Sequence, residues 1–171
     1  MTKDKRIFIK NIYYMLSYAF TTLNQSNYKD VATEEFDNIY NLLAAILSKG
    51  IGQQLKQGIY REYINRTEEM AVVRGKIDMP GTIRNRIARE RILTCEYDEL
   101  SENNLLNQIL KTTVLLLLRH ADVKSIYKDD LKKEMLFFSN VDTIDLTNVR
   151  WSAVRFQRNN QTYRMLISLC Q

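Results

Sequence analysis

The chain has 171 residues, 45% hydrophobic and 26% charged, with 25 basic against 20 acidic side chains and a formal net charge of +5. That is one domain's length, enough to bury roughly 70 per cent of the unfolded surface, and the composition excludes a disordered or fibrous chain. One proline and five glycines exclude a loop-rich barrel and favour long helices, while two cysteines, Cys95 and Cys170, give neither a disulfide framework nor a metal spacing and set a reducing cytoplasm as the expected compartment.

The first ten residues, MTKDKRIFIK, are charged and lack the apolar run of a signal peptide. Ile12, Met15, Leu16, Ala19, Phe20 and Leu23 then mark one continuous helical face. Phe36, Ile39, Tyr40, Leu43 and Ile46 repeat that spacing. Thr33 precedes them as a cap, Glu34 and Glu35 fill the first turn, and Gly50 and Gly52 mark the end. From Gly58 to Glu99 the helical period fades. Strands are predicted at 59–64, at 71–77, and around Leu93, Cys95 and Tyr97, which alternate with Thr94 and Glu96. Met79-Pro80-Gly81 reads as a turn. Residues 82–90 fit either a connecting segment or a short helix, since Ile83 and Ile87 are four apart.

Ser101-Glu102, a cap and an acid, precede Leu105, Leu106, Ile109, Leu110, Thr113, Val114 and Leu117. With Leu115, Leu116 and Leu118 also apolar, this helix is predicted as the central core element. Val123, Ile126, Tyr127, Leu131 and Met135 predict another helix. Tyr163, Leu166, Ile167 and Cys170 predict a last one, inside which the chain ends as a longer protein cut short would. The fold class is therefore α+β: a helical core with a small, mostly antiparallel β insertion, residues 58–100, between the second and third helices.

Three enzyme patterns fail on the residues. A phosphate-binding loop needs GxxxxGK[ST], but Gly75-Lys76 lacks the upstream glycine and is followed by Ile77. The single histidine, His120, sits where the leucine-rich helix should end, a position the helix dipole favours. Asp130-Leu131-Lys132 matches the short half of a PD-(D/E)xK nuclease motif, yet its leucine lies on a helical apolar stripe. No catalytic residue and no metal ligand are assigned.

One segment stands apart. RGKIDMPGTIRNRIARER, residues 74–91, holds Arg74, Lys76, Arg84, Arg86, Arg89 and Arg91 against Asp78 and Glu90. Five of the six bases are arginine, suited to bidentate contact with carboxylate or phosphate, and no acidic cluster lies beside them in sequence. They are the candidate partner- or nucleic-acid-binding residues.

Three phrases, NIYYMLSYAF (11–20), RGKIDMPGTIR (74–84) and CEYDELSENNLLNQILKTTVLLLLRH (95–120), resemble the N-terminal half of McrC, the nuclease subunit of 5-methylcytosine-specific restriction systems. In the third, Asp98, Glu99, Leu100, Glu102, Asn103, Leu106, Asn107 and Lys111 fall in place together. The resemblance covers essentially the whole chain. It implies a single N-terminal domain, residues 1–171, of a longer protein whose C-terminal nuclease half is absent. It also implies a partner, a McrB-like AAA+ GTPase ring, whose GTP hydrolysis this half stimulates. No cofactor belongs to this chain, and GTP and Mg²⁺ belong to the partner and the missing nuclease. In isolation the expected state is a monomer. The other reading of the basic stretch is a module that holds duplex DNA for the nuclease. Within DELSENN the expected structural roles are capping by Ser101 and pairing of Asp98 and Glu99 with nearby arginines.

Overall fold

In the computed structural model, residues 2–20, 28–156 and 161–171 are described, with side chains from residue 8 onward. The chain divides into two units, Met1–Tyr60 with Leu105–Gln171, and Arg61–Asn104. The first is helical; the second holds all three described strands and one helix. The α+β class stands.

In the helical unit, α1 spans Thr2–Ala19, α2 Lys29–Thr33, α3 Ile39–Gln57, α5 Leu105–Arg119, α6 Ser125–Met135 and α7 Gln161–Cys170 (α4, Met79–Ile87, belongs to the other unit). α3 packs on α6 and α7, and α5 on α6 and α7. Most of the stripe predicted for α5 is buried: Leu106, Ile109, Leu110, Val114 and Leu117 lie in the core, whereas Leu105 is 39% exposed and Thr113 only partly covered. The helix is not buried on all sides, because the apolar Leu116 stays 54% exposed.

Other predicted faces and ends shift. α1 buries Ile9 and Tyr13, with Ile12, Leu16 and Phe20 packed beside them, while Met15 points to solvent. Leu23 lies outside the described residues. The cap of α3 lies five residues after the predicted one. Thr33 is the last residue of α2, where its hydroxyl donates to the carbonyls of Lys29 and Asp30. Asn38 is the true cap, accepting from Asn41 N–H at 2.8 Å. Leu42, Ala45 and Ile46 then form the buried face, while Ile39 and Tyr40 are more than one-third exposed.

Gly50 and Gly52 do not end α3, which runs to Gln57 and closes at Gly58. Gly50 is needed for closeness instead: a Cβ there would overlap Leu166 of α7 and press on Tyr28 Oη. The interhelix distance at that crossing is set by a missing methyl.

A buried polar network joins α5, α7 and the end of the α3 segment. Asn107 is fully buried; its Nδ2 donates to the Tyr60 carbonyl and its Oδ1 accepts from Tyr163 Oη, both at 2.8 Å. Tyr163 Oη also accepts from Tyr60 N–H at 3.3 Å. Nearby on α5, Lys111 Nζ donates to the carbonyls of Phe138 (2.8 Å) and Val141 (2.5 Å). Asn107 and Lys111, two motif positions, thus hold backbone carbonyls of segments packed against α5.

In the second unit the sheet order is β1–β3–β2, with β1 spanning Glu62–Met70, β2 Lys76–Ile77 and β3 Leu93–Ser101. Both pairings are antiparallel, Glu62 opposite Ser101 through Met70 opposite Leu93, and Lys76 opposite Glu96. β3 follows its predicted alternation only in part: Cys95 and Tyr97 are buried, but so is Thr94, predicted on the outer side, because α4 covers it. The strand predicted at 59–64 runs from Glu62 instead, since Tyr60 is held in the network above. The strand predicted at 71–77 shortens to two residues because the chain turns at Gly75, whose φ is +70°. A Cβ there would overlap the Glu96 carbonyl oxygen.

Truncating the fully buried Ile109 to alanine should cost roughly 2–5 kcal/mol. Tyr163→Phe should cost about 1–3 kcal/mol by leaving the Asn107 amide oxygen without its donor. Urea denaturation of each variant checks both; losses below about 0.5 kcal/mol, the range of surface positions, would contradict this packing.

Candidate partner-binding surface

α4 spans Met79–Ile87, so Met79-Pro80-Gly81 is not a turn but the first turn of this helix. Asp78 caps it, accepting from Gly81 N–H at 3.0 Å. Pro80 fits there because first-turn N–H groups have no intrahelical acceptor to lose. Of the two alternatives for residues 82–90, the short helix is the one observed.

The helix is fastened to β3 by polar groups. Thr94 N–H donates to Thr82 Oγ1 at 3.1 Å, Asn85 Nδ2 donates to Thr94 Oγ1 at 3.1 Å, and Asp78 N–H donates to the Thr94 carbonyl at 2.8 Å. Thr82, Asn85 and Thr94 are all buried. Facing the other way, Met79, Ile83 and Ile87 are 59%, 50% and 77% exposed. The isoleucines four apart did signal a helix, but they line its outer side. At about 100° per residue, Arg84 and Arg86 fall on opposite flanks of this apolar stripe.

α4 ends in a Schellman turn. Glu90 N–H donates to the Asn85 carbonyl at 2.9 Å, and Arg89 N–H to the Arg86 carbonyl at 3.0 Å. The residue that must adopt the left-handed conformation in such a turn is usually glycine; here it is Arg89, at φ 63°. For a residue with a Cβ that conformation costs roughly 1–2 kcal/mol.

The six candidate bases fall into two groups. The Arg74 guanidinium stacks over the Tyr97 ring, 4.0 Å from its centroid, and Tyr97 Oη donates to Glu68 at 2.7 Å, the main cause of a raised phenol pKa. Lys76 lies across from Glu96 in the ladder. Arg84, Arg86, Arg89 and Arg91 are exposed, and among the described residues no carboxylate comes within ion-pair distance of them. The unit as a whole, residues 61–104, holds eight basic and nine acidic side chains, a net charge of −1. Most of those acids lie on β1 and β3, the strands that flank the basic stretch in sequence. The charge is thus segregated, not in excess. In DELSENN, Glu99 pairs with Arg66 at 3.4 Å and Glu102 with Arg61 at 3.8 Å, whereas Asp98 accepts from Asn65 instead of an arginine. Ser101 ends β3, and its hydroxyl accepts from Asn103 N–H at 3.1 Å.

The other candidate groups sit in the helical unit. The His120 ring stacks on Tyr40, with centroids 3.9 Å apart, and Nδ1 accepts from Asp122 N–H. Asp130 and Lys132 pair with Lys133 and Asp129 at 3.1 and 3.0 Å, on either side of the fully buried Leu131. Both Cys95 and Cys170 are free thiols. Among the described residues no three His, Cys, Asp or Glu side chains gather to hold a metal, and no helix is long and apolar enough to cross a membrane.

The geometry is that of a small sheet-and-helix unit within an α+β fold, whose exposed arginines flank an apolar helix face. The family model of the McrBC 5-methylcytosine restriction system component matches residues 2–171, and the chain belongs to that family. It is similar to the type IV methyl-directed restriction enzyme EcoKMcrBC of Escherichia coli K12, 28% identical over 163 residues, which is 95% of this chain and 47% of that protein. Its fold matches a chain of the Thermococcus gammatolerans McrBC complex, with a TM-score of 0.71 at 24% identity, over 95% of this chain and 49% of that one. It also matches a chain in a half-complex from a tetradecameric assembly of McrB AAA+ hexamers with bound McrC from the same organism, with a TM-score of 0.72 at 25% identity, over 95% of this chain and 39% of that one. The chain therefore spans half or less of the length of these relatives.

Glu134 of α6 carries the clearest pH signature. Burial raises its carboxyl to about 8, against the lowering by a hydrogen bond from Ser48 Oγ at 3.0 Å, and Asp130 raises it further. Between about pH 4.5 and about pH 8 the folded chain keeps a proton that the unfolded chain has released, so stability falls as pH rises through that window. Denaturant midpoints should therefore drop from about pH 5 to about pH 8 in the wild type, and less so in Glu134→Gln. Parallel profiles for the two proteins would contradict this assignment.

Proposed function

We propose that this chain is the regulatory part of a McrC-like restriction subunit, which binds a McrB-like AAA+ GTPase and stimulates its GTP hydrolysis. Through that contact it couples the GTPase to cleavage of methylated DNA by a nuclease domain that is not part of the residues present here. The reading rests on one observation above all: in a member of the McrBC family, Arg84, Arg86, Arg89 and Arg91 stand exposed and, among the described residues, free of ion pairs on one small unit. The solved relative with McrB hexamers and bound McrC supports the choice of partner.

Arginine suits both halves of the task. Its planar fork makes bidentate contacts with carboxylates at a protein interface. Supplied in trans to a GTPase site, a guanidinium also stabilises charge on the transferring phosphoryl group. Arg74 is the least suited of the set, since its guanidinium already covers Tyr97. The second reading, a module that holds duplex DNA, is favoured by the same arginines but not by the unit's net charge of −1.

Replacing Arg84, Arg86 and Arg89 together by alanine should leave the fold intact, because exposed positions usually cost within about 0.5 kcal/mol each. It should abolish binding to the cognate McrB-like protein or stimulation of its GTP turnover. Normal binding and turnover by the triple variant, with lost affinity for duplex DNA, would transfer the function to nucleic acid. Loss of neither would reduce the stretch to solvated surface.

A further inference from the structure

We propose that the outer face of α4 is a protein-docking surface: Met79, Ile83 and Ile87 enter an apolar furrow on the partner, and Arg84, Arg86 and Arg89 clasp carboxylates along its edges. This rests on the reading that the chain binds a McrB-like GTPase, and it names the face that does so.

Two independent features carry it. The first is inverted amphipathicity. A helix lying on a sheet ordinarily turns its apolar stripe inward and its polar side to water. α4 does the reverse, burying Thr82 and Asn85 against Thr94 and exposing Met79, Ile83 and Ile87. Nothing in the unit's own stability requires three large apolar side chains on the outer face. A partner that covers them would.

The second feature is strain at Arg89. Glycine is the residue that fits the left-handed end of a Schellman turn without strain. An arginine held there at φ 63° is a local cost without a visible local return: the described residues give it no ion pair. Strain of this kind is found where the side chain is used outside the fold.

The chemistry of the occupant follows from these residues. Phosphates match arginine but offer nothing to bury a methionine and two isoleucines, so duplex DNA leaves the stripe wet. An apolar furrow with an acidic edge satisfies both sets. Central apolar anchors ringed by arginine are also the composition of energetically dominant protein contacts. The segregated charge of the unit, −1 in total, suits short-range pairing better than long-range attraction to a polyanion.

The test titrates the full chain into its cognate McrB-like GTPase by calorimetry, with duplex DNA titrated in parallel. The variant Met79→Ser/Ile83→Ser/Ile87→Ser should keep its circular dichroism spectrum and lose at least about tenfold in affinity for the GTPase. Its affinity for DNA should not change. Arg89→Gly should raise Tm by about 2–4 °C, as relief of strain predicts, and still bind the GTPase more weakly. Wild-type affinity in the stripe variant would overturn the inference while leaving the GTPase reading in place. Loss of DNA affinity in that variant would overturn it in favour of a nucleic-acid occupant. If the wild-type chain itself does not bind the GTPase, that reading falls and the inference falls with it.

Discussion

The fully buried Asn107 amide is the constraint on which the helical unit depends. Its two ends are matched to a backbone carbonyl, that of Tyr60, and to a phenol, that of Tyr163. A buried amide is costly unless both ends are paired, so the side chain tolerates only one arrangement of α5, α7 and the segment after α3. Apolar packing around Ile109 and Leu110 supplies the bulk of the stabilisation, but oily contacts alone admit several registers. The amide selects one of them. Lys111, one turn further along α5, does the same for the Phe138 and Val141 carbonyls.

The second unit is held on different terms. Its helix is fastened to its sheet through threonine and asparagine, and its charges are sorted so that acids line the long strands while arginines line α4. That arrangement spends buried threonine and asparagine side chains on internal contacts and leaves the apolar side chains of α4 outside. A domain built for its own stability would do the opposite. The same logic accounts for Arg74, which is spent on Tyr97, and for Arg84, Arg86, Arg89 and Arg91, which are not.

Much of this was legible in the sequence because α5 and, in part, β3 follow their periods, and the α+β class follows from them. The misses share a cause: each depends on a tertiary neighbour. Gly50 reads as a helix stop, and only its closeness to Leu166 shows why it sits inside α3. Thr33 followed by two glutamates imitates a cap, while Asn38 wins because its amide meets Asn41 N–H. Pro80-Gly81 reads as a turn, although Asp78 two residues before the proline is a helix-start signal that was available. In the fold the six bases divide: Arg74 stacks on Tyr97 and Lys76 sits in the β-ladder, while Arg84, Arg86, Arg89 and Arg91 lie on and just after α4. That Glu96 comes to lie opposite Lys76 was not visible, since only strand register places it there. The outward isoleucines of α4 were invisible for the same reason: spacing reveals a stripe but not which way it faces.

The central claim is that the exposed arginines of this unit engage a protein GTPase and not duplex DNA. The most direct measurement is the salt dependence of each affinity for the intact chain, from about 50 to 200 mM. Phosphate contacts by six bases would give a slope of log K against log[salt] of about −5 on B-DNA. The account predicts a complex with the cognate McrB-like GTPase whose affinity falls much less steeply, held by its apolar centre. A GTPase affinity too weak to measure, beside duplex-DNA binding with the steep slope of six phosphates, would contradict it.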